Sequence, residues 1–320
     1  MKRERFRSTI RILLTLGVFI FLIFLIKKNY SEIKQYNYIF QPWQIAVSFI
    51  LLLTSTLILP IIWYLITHNL QCNIKFANTL KVRLLSEVGK YIPGRVLGYG
   101  YLIIHYKEEG KDRLEVLNAS IYELFLSTFS AFLYFTLTML FTSFQILDAY
   151  KTLFVVVSII GITFMHPWFF QKMSDMFCKL LRRERVKHQI SFLRIIGLLF
   201  LYLIYWIIFS LAFFFFVRGF KDINISYIGY LSGSFAISTF AGFMAFFLPA
   251  GLGAREGLLF YLLGILLGNT LAIVISIGSR IWLILADALL FLAALSSNLY
   301  SRRQNRKSEI KVNGGIEYFL

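Results

Sequence analysis

The chain has 320 residues, of which 58% are hydrophobic, 18% aromatic and 15% charged, with a formal charge of +17. A mean hydropathy of +0.71 and repeated apolar runs of the roughly 18 to 20 residues that cross a bilayer exclude a water-soluble globular domain. The surplus of positive charge would suit a nucleic-acid binder in a soluble fold, but here Lys and Arg lie in blocks between apolar runs, as in cytoplasmic loops facing anionic lipid. No nucleic-acid partner is expected.

In chain order, Lys2, Arg3, Arg5, Arg7 and Arg11 precede an apolar run over 12–26. Lys27-Lys28-Asn29-Tyr30 stands where a cleavage site of small residues would be needed, so an uncleaved first span with a cytoplasmic N-terminus is expected. Tyr30, Tyr36, Tyr38 and Trp43 mark an interfacial connection to a second span over 43–66, in which Pro60 can kink the helix. Cys72 and Cys178 lie far apart with no CxxC or Cys/His cluster, and both are expected to be inert thiols.

Residues 84–104 are too broken for an ordinary span. Pro93-Gly94 sits mid-segment, and Lys81, Arg83, Lys107, Lys111 and Arg113 make both flanks basic, so a re-entrant hairpin entering and leaving on the cytoplasmic side is expected. A third full span over 115–142 carries Glu123 about 12 Å deep, at 1.5 Å per residue, where it should face protein rather than lipid. A fourth over 153–170 leads into Lys172, Lys179, Arg182, Arg183, Arg185, Lys187 and Arg194, the richest basic block. A fifth over 195–217 contains Phe213 to Phe216, expected to be lipid-facing bulk.

Residues 227–268 hold Phe246-Phe247-Leu248-Pro249-Ala250-Gly251-Leu252-Gly253-Ala254-Arg255-Glu256-Gly257, and a last span over 270–296 ends in Arg302, Arg303, Arg306 and Lys307. The stretch matches Tyr91-Ile92-Pro93-Gly94-Arg95-Val96-Leu97-Gly98 as aromatic, aliphatic, Pro, small, any, aliphatic, any, small. With a cytoplasmic tail, 227–268 should begin and end outside, as a second hairpin from the opposite face. The expected fold is an all-α polytopic membrane protein with about six full transmembrane helices plus two broken re-entrant hairpins in an inverted repeat. It is one domain over 1–300, with pseudo-repeat halves at about 80–145 and 227–296 and a basic cytoplasmic tail at 301–320. Each half carries an ion about 30 residues after its proline: Glu123 after Pro93, Arg280 after Pro249.

Arg255 and Glu256 are adjacent, so on a helix they point about 100° apart and each needs its own partner. Charges at a broken intramembrane helix mark substrate contact or gating, or else an ion pair that locks the hairpin. Arg280 and Asp287, seven apart on one helix face, leave two readings: Arg280 grips a lipid phosphate, or it bridges to Asp287 or Glu123 for architecture. Lys90 and Arg95 flank the first break, where a half-helix N-terminus favours an anionic headgroup, although Lys90 could instead snorkel to the interface. Pro93, Gly94, Pro249, Gly251 and Gly253 are the structural breaks, the last two glycines permitting a tight reversal. His68, His105, His166 and His188 are scattered without ligand spacing, and no nucleotide, zinc or hydrolase motif occurs. No metal, cofactor or catalytic residue is expected.

The Tyr-Ile-Pro-Gly-Arg and Leu-Pro-Ala-Gly-Leu-Gly-Ala-Arg-Glu-Gly segments, in a chain with this span pattern, resemble the lysylphosphatidylglycerol synthase transmembrane region, a flippase-like family of bacteria and archaea, over about residues 10–300. Glu123 looks like the family's Glu at the start of a span, although the Glu-Arg pair implied there reads Glu123-Leu124. The resemblance implies a plasma-membrane protein that moves a phospholipid, such as aminoacylated phosphatidylglycerol, or a lipid-linked precursor between leaflets. In two-domain members a soluble half transfers the amino acid from charged tRNA, and this chain looks like the membrane half alone, with a soluble or membrane transferase as partner. The alternatives are a phosphatidylglycerol lysyltransferase and an accessory partner of a membrane glycosyltransferase.

Overall fold

The computed structural model describes residues 40–91, 96–180, 186, 188–245, 251 and 253–316. The expected first span over 12–26, and Pro93, Gly94, Arg95 and Pro249, lie outside the described residues. Among those described there are helices and turns and no strand: α1 (Pro42–Thr56), α2 (Ile58–Asn69), α3 (Phe76–Glu87), α4 (Val96–Glu108), α5 (Arg113–Phe141), α6 (Lys151–Phe164), α7 (Pro167–Leu180), α8 (Phe192–Arg218), α9 (Ile228–Met244), α10 (Ala254–Leu267) and α11 (Asn269–Ile316).

Among the described residues, four stretches are long and apolar enough to cross a bilayer: Pro42–Asn69, Arg113–Phe141, Phe192–Arg218 and Asn269–Ser297. At 1.5 Å per residue each runs about 40 Å, more than the roughly 30 Å hydrocarbon core. These are the expected spans over 43–66, 115–142, 195–217 and 270–296, and the chain is a helical membrane protein. The first of them is interrupted at Leu57, because Pro60 has no N–H to donate to the Thr56 carbonyl four residues back. Just before the break, the Ser55 and Thr56 hydroxyls donate back to the Leu52 carbonyl at 2.8 and 2.9 Å.

The expected span over 153–170 falls on two helices joined at a bend. Asp148–Phe164 and Pro167–Leu180 meet at a bend of 68°, since the residue before Pro167 is disfavoured in helical conformation and the proline ring cannot follow a helix below it. The expectation that Phe213 to Phe216 face lipid is overturned: Phe213, Phe214 and Phe216 are buried. The reason is the position of α8, which packs against α1, α2, α5 and α9, so the stretch of this apolar helix that carries the Phe run is enclosed by protein, while Leu193, Phe200 and Ile207 stay exposed. Phe213 packs against Phe235, and Phe216 stacks on Trp282 with ring centroids 5.0 Å apart.

The order helix, break, helix, long helix occurs twice, as α3–α4–α5 and α9–α10–α11. Contacts between the two sets are reciprocal: α3 packs on α11, and α9 packs on α5. Each broken pair also closes on itself. Asn78 Nδ2 near the start of α3 donates to Glu109 Oε1 just past α4 at 3.2 Å, and Tyr230 Oη near the start of α9 donates to the Leu262 carbonyl in α10 at 2.7 Å. At the end of the bundle where α3 begins, Arg194 Nη1 donates to Asn69 Oδ1 at 2.8 Å and the His188 ring lies 3.1 Å from Glu115. At the end where α9 begins, Phe144 stacks on Tyr230, and Gln41 N donates to the Gly219 carbonyl at 2.9 Å.

Cys72 and Cys178 are free, buried thiols. Burial, reinforced by the nearby Glu115 carboxylate, pushes the Cys72 thiol up to about 12, so at pH 8 almost none is present as the reactive thiolate. Detergent-solubilised native protein at pH 8 should therefore take up no thiol-reactive dye within minutes and two equivalents after denaturation. Fast labelling of the native protein, followed by mass spectrometry, would contradict this packing.

Candidate functional site

The two broken hairpins meet α5, α8 and α11 around a partly open cavity of about 180 Å³. Glu123 lies ten residues into α5 and Arg280 eleven into α11, each about 15 Å from its helix start. That is about half the hydrocarbon thickness. The depth follows from helix arithmetic alone, and the partners follow from packing.

One wall is a run of alternating charges. On α3, Arg83 and Glu87 are four residues apart and share a face, with Lys90 three residues further on in the turn Val88–Tyr91. Arg83 Nε and Nη2 donate to Glu123 Oε1 at 3.0 and 2.6 Å, and Nη1 donates to Ser86 Oγ at 3.1 Å and also pairs with Glu87. Glu87 Oε2 lies 3.1 Å from Lys90 Nζ, which reaches Asp287 Oδ2 on α11 at 2.8 Å. The sequence of contacts is Glu123, Arg83, Glu87, Lys90, Asp287, joining α5 to α11 through the tip of the first hairpin. Buried ions of this kind are tolerated because each is compensated by its neighbour.

The second hairpin supplies a separate pair. Gly251 and Gly253 have φ of 68° and 86°, the left-handed region in which glycine is at no disadvantage, as the sequence predicted for a tight reversal. A side chain on Gly251 would place Cβ 2.5 Å from Gly242 Cα in α9. The turn delivers Ala254 as the first residue of α10, so Glu256 falls in its first turn and accepts from Gly253 N at 2.8 Å with Oε2. Its Oε1 lies 3.4 Å from Arg280 Nη1. Arg255 points elsewhere, its guanidinium over the Phe235 ring at 4.4 Å. The first hairpin has a similar close approach, since a Cβ on Gly98 would lie 2.8 Å from the Ser86 carbonyl.

Of the residues singled out in the sequence, Glu123, Lys90, Arg255 and Arg280 line this cavity and Glu256 adjoins it through Arg280. Lys90 does not snorkel, being held between Glu87 and Asp287. Arg280 Nη1 lies 3.4 Å from Glu256 Oε1 on α10. This partner is available because α10 packs directly on α11. Arg83, placed by its sequence context among the hairpin's basic flanks, is turned inward with its side chain 12% exposed. Asp287, named in the sequence beside Arg280, lines the cavity too, as do Glu87, Tyr99, Tyr202 and Tyr205, which were not singled out. The spacing of Arg83, Glu87 and Lys90 on one helix face just ahead of a Pro-Gly break was the available signal. The far wall is aromatic and fixed: Trp206 Nε1 donates to Ser130 Oγ at 3.2 Å and its ring stacks on Tyr134.

A family model described as the lysylphosphatidylglycerol synthase TM region matches residues 9–290. The chain belongs to that family. The matched residues of this family member include both broken hairpins and every charged residue named in the cavity. No curated protein and no solved structure matches the chain.

Proposed function

We propose that this chain is a flippase-like protein of the plasma membrane, in which the cavity lets the headgroup of a phospholipid or lipid-linked precursor cross while its tails stay in the bilayer. The observation that carries the reading is the run from Glu123 through Arg83, Glu87 and Lys90 to Asp287, which offers a charged headgroup ion-pairing partners at half depth. The two hairpins act as re-entrant elements in an inverted repeat. Supporting this, α3, α4 and α10 have 12, 13 and 14 residues, too few for the roughly 20 needed to cross. Their starting and returning ends also meet, at opposite ends of the bundle. Both termini then lie in the cytoplasm, with the basic block from Lys172 onward against anionic lipid and a transferase supplying the lipid.

The test is leaflet exchange of fluorescent lipid in proteoliposomes, read by a quencher that cannot cross. Exchange should exceed that of protein-free vesicles at least tenfold and fall in Arg280→Ala. Rates equal to protein-free vesicles for anionic, zwitterionic and cationic lipids alike would remove the reading.

A further inference from the structure

A buried phenol needs a partner for its hydroxyl, because leaving one without a partner costs the desolvation of that group. Among the described residues the buried tyrosines are Tyr106, Tyr122, Tyr202 and Tyr230. Three of these have the partner inside the fold. Tyr106 Oη accepts from Trp63 Nε1 at 2.8 Å, Tyr122 Oη accepts from Ile190 N at 3.4 Å, and Tyr230 Oη donates to the Leu262 carbonyl at 2.7 Å. Tyr202, 2% exposed and part of the cavity wall, makes no hydrogen bond to a described residue. Three residues on, the half-buried Tyr205 lines the same cavity and likewise makes none.

This placement follows from the helix. Tyr202, Tyr205, Trp206 and Phe209 occupy positions i, i+3, i+4 and i+7 of α8, one stripe of its surface, and all four line the cavity. The Tyr205 ring meets Trp206 edge to face with centroids 5.3 Å apart, and Trp206 is tied in turn to Ser130. Along the helix axis the two phenols are about 4.5 Å apart. Tyr202 is within electrostatic reach of Arg83, Glu123 and Glu87, and Tyr205 of Lys90, Arg255, Glu87 and Asp287, so each faces a different part of the charged wall. Neither is within hydrogen-bond distance of a described carboxylate there, and the acceptor has to arrive with what enters the cavity. A phenol donates better than it accepts, and donates most strongly to an ionised oxygen. The phosphodiester oxygens of a lipid are ionised whatever the rest of its headgroup carries. We infer that Tyr202 and Tyr205 are substrate contacts that donate in turn to the phosphate of the lipid headgroup, irrespective of its net charge. This deepens the proposed translocation and rests on it for the lipid origin of the phosphate.

The full chain in detergent is titrated calorimetrically with dihexanoyl phosphatidylglycerol, dihexanoyl phosphatidylethanolamine, phosphate-free dihexanoylglycerol and inorganic phosphate. Tyr202→Phe and Tyr205→Phe should each weaken both phospholipids at least about tenfold, the scale of one hydrogen bond to a charged group, and dihexanoylglycerol should show no such dependence. Melting of the lipid-free protein gives a second readout. Tyr202→Phe should be as heat-stable as the parent or more so, because it removes a hydroxyl that no described residue partners. Tyr230→Phe, which removes a hydroxyl bonded inside the fold, should do the reverse, melting lower with unchanged lipid affinity. The inference is overturned by unchanged phospholipid affinity in Tyr202→Phe and Tyr205→Phe, by a loss of heat stability in Tyr202→Phe, or by a parent that binds neither phospholipid. Inorganic phosphate bound as tightly as the phospholipids overturns the lipid assignment. Leaflet exchange in proteoliposomes keeps the two ideas apart: tyrosine-dependent binding without exchange by the parent retires translocation alone, and parental exchange with parental affinity in both variants retires the phosphate contacts alone.

Discussion

Arg83→Met should destabilise the protein by about 3–5 kcal/mol, the scale of breaking one partner out of a buried ion pair. The guanidinium compensates Glu123, whose side chain is 4% exposed, and also Glu87, at 14%. Methionine fills much of the volume and supplies no charge, so both carboxylates lose a partner in a region with little water. In detergent the variant should lose monodisperse yield and unfold at clearly lower temperature. The double variant Arg83→Met with Glu123→Met should recover part of the loss, because replacing both partners with apolar groups costs less than orphaning one. An Arg83→Met protein as heat-stable as the parent would mean that the α3–α5 ion pair does not hold the first hairpin in place.

The second large effect is expected at Gly251→Val. The backbone there has φ of 68°, a left-handed conformation that costs a residue with a side chain roughly 1–2 kcal/mol, and a β-branched one is least suited to it. Space is tighter still, since a Cβ would lie 2.5 Å from Gly242 Cα and 2.6 Å from the Gly242 carbonyl oxygen, both backbone atoms with no rotamer to yield. Either the reversal opens or α9 moves, and both displace Arg255 and Glu256. Thermal unfolding should fall by more than about 5 °C, by the usual conversion of a few kcal/mol for a chain of this size. Gly197→Ala is the control: it lies inside α8 with nothing within 4 Å of its Cβ position. There alanine should be neutral, or stabilising by roughly 0.5–1 kcal/mol through helix propensity. Equal losses from the two substitutions would argue against a tightly packed reversal at Gly251.

Where sequence reasoning succeeded, the governing physics was local. Gly251 and Gly253 were legible as a reversal because few residues tolerate positive φ, and α10 does begin directly after them. The orthogonal roles of Arg255 and Glu256 followed from adjacency on a helix, and they do go to Phe235 and to Arg280 with Gly253 N respectively. Phe213, Phe214 and Phe216 were misjudged because an all-apolar helix looks the same in lipid and in a protein core. The distinction is which helices surround α8.

The amino-acid order by itself determined that this is a helical membrane protein, where four of its spans lie, that the backbone reverses at Gly251 and Gly253, and that Glu123 and Arg280 stand similarly far along their helices. Each of these depends on run length, helical rise or the backbone chemistry of Pro and Gly, all set within some twenty residues. Only the tertiary structure decided who pairs with whom. Arg83 beside an apolar segment reads identically whether it reaches outward to headgroups or inward to a carboxylate, and the difference is Glu123, forty residues later on α5. Likewise Lys90 meets Asp287, and Arg280 meets Glu256, only because α3 and α10 both pack against α11. An ion pair forms over about 3 Å, a distance set by the docking of whole helices, which no local pattern encodes.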